Sequence, residues 1–123
     1  MTAMKLALLR ASSKGRLDIV EILLNQGAPV DAQTERGKTP LIVAARRGFS
    51  AIARLLLEHG AAVDHRTDFG NTALIVAAHQ GHKEIVDLLL ANGATVEIRN
   101  QNGQSALTID STLGRIGNPQ TAS

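Results

Sequence analysis

The stretch "GKTPLIVAARRG" occupies residues 37–48 and "GNTALIVAAHQG" occupies residues 70–81, a spacing of 33. Near-verbatim recurrence at a fixed period separates a stack of small units from a single globular core. Laid over one another, residues 37–69 and 70–102 share 16 identities in 33 positions. One period back, residues 4–36 keep the second half of the pattern: "GRLDIVEILLNQGAPVD" parallels "GFSAIARLLLEHGAAVD" and "GHKEIVDLLLANGATVE". One period forward, residues 103–114, "GQSALTIDSTLG", open a further unit that gives way to "RIGNPQTAS". The expectation is one domain over residues 1–123, divided into 4–36, 37–69, 70–102 and a partial 103–123.

Each unit predicts its own local structure. Thr39 and Pro40 suit the N-cap and first position of a helix, because the hydroxyl accepts an orphan N–H and proline has none to satisfy. That helix runs from Leu41 to Arg47 and stops at Gly48, since glycine adopts the left-handed conformation of a helix end without penalty. A second helix covers residues 50–59, with Ile52, Leu55 and Leu56 spaced for one buried face, and Gly60 stops it in turn. Helices of two turns are marginal alone, so their stability has to come from stacking on the next unit. Ala44, Ala45, Ala77 and Ala78 fit such a stack, because small side chains let neighbouring first helices approach closely.

Composition agrees with an aliphatic helical stack. The 123 residues are 44% hydrophobic and 20% charged but only 2% aromatic, with no Trp or Tyr. There is no cysteine, which removes disulfides, Cys-ligated zinc and thiol catalysis together. It also fits a reducing compartment, so a cytoplasmic protein is expected; a signal sequence cleaved from a periplasmic or secreted precursor would leave the same text. No apolar run approaches the roughly 18 residues of a membrane span.

The 33-residue period, the "GxTPLxxAAxxG" text carried by Gly37, Thr39, Pro40, Leu41, Ala44, Ala45 and Gly48, and "GHKEIVDLLLANGA" at residues 81–94 resemble the ankyrin repeat. The resemblance covers residues 5–114 and implies an all-α solenoid of stacked helix–turn–helix units joined by β-turn or loop tips. One departure is Ile42 and Ile75, where the family usually has a His that hydrogen-bonds between units; aliphatic packing is expected instead. The first unit, with "KLALLRASSKG" and its Lys5, Arg10 and Lys14, reads as a capping repeat with a solvated face. At the other end Leu107, Ile109, Leu113 and Ile116 either cap the core or leave an apolar patch beside Leu88, Leu89 and Leu90 for weak self-association; a monomer is expected.

Nothing in the chain assembles a reaction centre. His59, His65, His79 and His82 lack a completing ligand set, and no GxSxG or other nucleophile motif occurs. Asp31, Asp64 and Glu97 recur in register, which reads as turn chemistry rather than aligned acids. "GRIGNP" at residues 114–119 lacks the lysine of a phosphate loop. No enzyme, cofactor or metal is therefore expected.

The resemblance implies a concave binding surface made of the tips and the exposed side of the first helices. Carried onto this sequence, its tip residues are Gln33, Glu35, Arg36 and Lys38; Arg66, Asp68, Phe69 and Asn71; and Arg99, Gln101, Asn102 and Gln104. Its helix positions are Ser13 and Lys14, Arg46 and Arg47, His79 and Gln80, then Thr112 and Leu113. Seven cations against Glu35 and Asp68 make this face +5 when the whole chain is +2, which favours a protein partner with an acidic surface. The binding set is Lys14, Arg36, Lys38, Arg46, Arg47, Arg66, Asp68, Phe69, Asn71, His79, Gln80, Arg99 and Gln101. Phe69 is either an anchor for the partner or a ring folded over the neighbouring turn, whereas Phe49 reads as packing. The expected function is a non-catalytic protein-binding module, with a small inhibitor that covers a partner enzyme's active site as the alternative. Nucleic acid fits less well, because the tips carry one aromatic and no stacking series.

Overall fold

The computed structural model describes residues 3–113. Among these it holds seven helices and no strand: α1 (Ala3–Lys14), α2 (Leu17–Asn25), α3 (Pro40–Arg47), α4 (Ser50–Glu58), α5 (Ala73–Gln80), α6 (Lys83–Ala91) and α7 (Ala106–Ile109). The tail at 114–123, with Ile116 and the "GRIGNP" stretch, lies outside the described residues.

Capping chemistry places the helices where the repeat predicts them. The Thr39 hydroxyl accepts the Ile42 N–H at 3.3 Å and the Thr72 hydroxyl accepts that of Ile75 at 3.2 Å, each at the N-terminus of its helix. Ser105 and Thr108 bond reciprocally at the start of α7, a capping box that secures a helix of only four residues. Just beyond it, the Thr112 hydroxyl and N–H bond Asp110 and hold its carboxyl below the usual range. Gly48 ends α3 at φ +83°, and a Cβ there would also meet the His82 ring at 2.8 Å. Only glycine meets both demands.

The three hairpins α1–α2, α3–α4 and α5–α6 stack in order, and α7 follows. First helices pack on first helices (α1 on α3, α3 on α5, α5 on α7) and second helices on second helices (α2 on α4, α4 on α6). The inner row packs more extensively than the outer one. Its residues explain why: Ala44, Ala45 and Ala77 are completely buried between the helices, and no longer side chain holds the backbones apart. Ala78 is only half-buried. Around this seam Leu8, Leu41, Leu74, Ile52, Leu56, Ile85 and Leu89 complete one continuous aliphatic core. Ile42 and Ile75 are buried in place of the family's histidine, as expected from their side chains.

Polar contacts across the hairpins add to the packing. The carboxylate of Asp31 accepts the Ala62 N–H at 3.1 Å, and that of Asp64 accepts the Thr95 N–H at 2.9 Å and its hydroxyl at 2.7 Å. Asp31 and Asp64 are thus structural, but they bond the next hairpin rather than their own turn, because stacking brings a residue 31 positions on within reach. Phe49 and His82 share one register: the Phe49 ring lies over Gly15, and the His82 ring lies over Gly48 with Nε2 donating to the Arg46 carbonyl at 3.1 Å.

One end differs from expectation: the first hairpin exposes Leu6, Leu17 and Ile22, although Ile22 is in register with Leu55 and Leu88, which pack against the core. Leu113 carried two expectations, a place in the C-terminal cap and a place on the binding surface; it is buried at 1% exposure as part of the core, which is the cap and not the surface. Leu89 beneath that end is fully buried.

Candidate protein-binding groove

The three tips between hairpins are tight turns of one design. Thr34, Thr67 and Asn100 occupy equivalent positions, and each backbone N–H donates to the carbonyl four residues on, in Lys38, Asn71 and Gln104. The side-chain oxygen of each accepts the N–H of that same residue, at 3.0–3.1 Å. Successive tips are then stitched together: Asp68 N–H donates to the Arg36 carbonyl at 3.0 Å and Gln101 N–H to the Phe69 carbonyl at 2.9 Å. Gly70 makes the second contact possible, since a Cβ at its φ of +89° would lie 3.0 Å from the Cα of Asn100.

Further side chains brace the row. Arg66 donates to the Arg99 carbonyl at 2.6 Å, Gln101 Nε2 donates to the Asp68 carbonyl at 2.7 Å, and Arg99 donates to the Gly103 carbonyl at 2.6 Å. His65 Nε2 donates to the Gly37 carbonyl at 2.8 Å. The tips are therefore a fixed wall, held both by backbone hydrogen bonds and by side chains that reach the neighbouring turns.

Between this wall and the first helices runs a groove of about 1120 Å³. Nine of the thirteen residues expected to bind line it: Arg36, Lys38, Arg46, Arg47, Asp68, Phe69, Asn71, Gln80 and Gln101. His79 lines an adjoining depression of about 250 Å³ that shares Arg46, Phe69, Asn71, Val76 and Gln80 with the groove. Lys14 lies outside the lining, at the end of α1. Arg66 and Arg99 also lie outside it, with their guanidinium groups bonded to tip carbonyls.

The floor is apolar and consists of residues outside the expected binding set: Ile42, Val43 and Val76. Val43 stands three residues before Arg46, and Val76 three before His79, the helical spacing that puts side chains on one face. Phe69 is 40% exposed and borders both depressions. No ion pair or side-chain hydrogen bond involves the charged groups of Arg36, Lys38, Arg46 or Arg47 among the described residues; the ion pair observed there, Arg16 with Asp18, is on the first hairpin.

A stack of helical hairpins with a groove beside fixed tips defines a repeat protein built to present a surface. The family model for ankyrin repeats (3 copies) matches residues 8–102 and, in a second placement, residues 60–114. The chain belongs to the ankyrin repeat family. Members are generally protein–protein interaction modules and typically non-catalytic. A search of curated proteins returned no match. No helix among the described residues is long and apolar enough to cross a membrane.

Proposed function

We propose that the chain is a non-catalytic cytoplasmic module that holds another protein in the groove between its tips and first helices. The observation that carries this reading is the coincidence, in one cleft, of four cations without partners among the described residues, an apolar floor and the part-exposed ring of Phe69. Cations left unpaired next to apolar surface are suited to a partner that supplies both carboxylates and an apolar side chain. Arginine and aromatic residues are also the side chains that most often dominate binding energy.

Affinity capture with the intact chain tests the reading. Proteins retained by the wild type are expected to be lost from Arg46→Ala/Phe69→Ala and kept by Arg54→Ala, a substitution on the exposed side of α4. Loss of the same proteins from Arg54→Ala alone would contradict it. An activity assay on a captured enzyme separates an inhibitor, which abolishes turnover, from a tether, which leaves it unchanged.

A further inference from the structure

The charge of the groove is polarised along the stack. All four cations come from the first tip and α3: Arg36 and Lys38 on the tip side, Arg46 and Arg47 on the helix side. One period on, the second tip and α5 contribute Asp68, Phe69, Asn71, Val76 and Gln80 to the same lining and no cation. Arg66 of the second tip does not offset this, because its guanidinium is bonded to the Arg99 carbonyl away from the lining. One half of the groove is therefore basic on both walls, and the other half presents an aromatic ring and a valine among neutral amides and a single acid.

We propose that the groove binds an extended acidic segment lying along the stack, with its carboxylates between Arg36, Lys38, Arg46 and Arg47 and an apolar side chain on Phe69 and Val76. This rests on the groove being the binding site and adds the chemistry and direction of what occupies it. Charge complementarity sets the acidic part, since a carboxylate between the two basic walls meets cations with no competing partner among the described residues. The uneven lining sets the polarity: an acid placed over Phe69, Asn71 and Val76 meets no cation of the lining, which disfavours the reversed arrangement. The volume, about 1120 Å³, lies above the roughly 300–1,000 Å³ of small-molecule clefts and suits a length of chain. A polynucleotide fits less well, because one ring at the far end of the basic half offers no series of stacking platforms.

The test uses the intact isotopically labelled chain and a capped hexapeptide of three glutamates, one glycine and two leucines, followed by amide chemical shifts. The expected result is saturable binding that perturbs residues 36–47 through the glutamates and 68–76 through the leucines. Replacing the glutamates by glutamines, or testing Arg46→Ala/Arg47→Ala, is expected to weaken binding at least tenfold; far-UV circular dichroism of the variant confirms that it is folded. Replacing the leucines by alanines is expected to remove the shifts at 68–76 and retain those at 36–47. Equal affinity for the glutamine peptide, leucine shifts confined to 36–47, or tighter binding of a single-stranded oligonucleotide of equal charge would each overturn the proposal. Failure of the peptide while captured proteins remain sensitive to Arg46→Ala/Phe69→Ala would sink this inference and leave the groove as the binding site. Captured proteins insensitive to that variant would remove the site itself.

Discussion

Thr72 shows how much one side chain is asked to do in so short a helix. Its hydroxyl is fully buried and accepts the Ile75 N–H, so removing it takes away a cap and leaves a buried donor without a partner. Thr72→Ala is expected to lower stability by about 1–2 kcal/mol in urea unfolding, and Thr72→Ser to recover most of it. Ser12 is the opposite case. It is completely buried, its Oγ has no partner among the described residues, and it is in register with Ala45 and Ala78. Since an unsatisfied buried hydroxyl costs about 1–3 kcal/mol, Ser12→Ala is expected to raise stability, by roughly 1 kcal/mol once the small loss of packing is allowed for. An unchanged or lower unfolding midpoint would show that the hydroxyl has a partner.

At the scale of the elements, each hairpin is short because it relies on its neighbours. The alanine seam shared by α3 and α5 is what lets the inner row approach, so an enlarged side chain there acts on two hairpins at once. Ala77→Leu is expected to cost about 1–3 kcal/mol by overpacking a fully buried site, measured by the same unfolding experiment. The same residue type at half-buried Ala78 is expected to be better tolerated. Helix boundaries were legible in the sequence because Thr39, Pro40 and Gly48 act on groups within four residues of themselves. The cross-links were not. Asp64 bonds Thr95 and Arg66 bonds Arg99, and these pairings depend on how far one hairpin is rotated and displaced from the next. For a related reason Leu113 belongs to the cap and not to the binding surface: α7 ends at Ile109, and the repeat register does not carry past it.

For the whole molecule, periodicity revealed the wall and hid part of the floor. Residues that vary between units, such as Arg36, Arg46 and Phe69, stand out against the pattern, and the structure brings them into one groove. Ile42, Val43 and Val76 belong to the pattern itself, so nothing in their recurrence separates a residue lining a cleft from one filling the core. The charges along this groove make an ionic-strength prediction. Binding of an acidic partner is expected to weaken between about 0.05 and 0.5 M salt as screening shortens the reach of the exposed cations, mainly through a slower association rate seen in stopped-flow mixing. The most direct measurement is an amide footprint of the labelled chain saturated with a captured partner. Perturbations concentrated at 36–47 and 68–80, with 51–58 and 84–91 of the outer helices unaffected, are the expected result. A footprint centred on those outer helices would contradict the account.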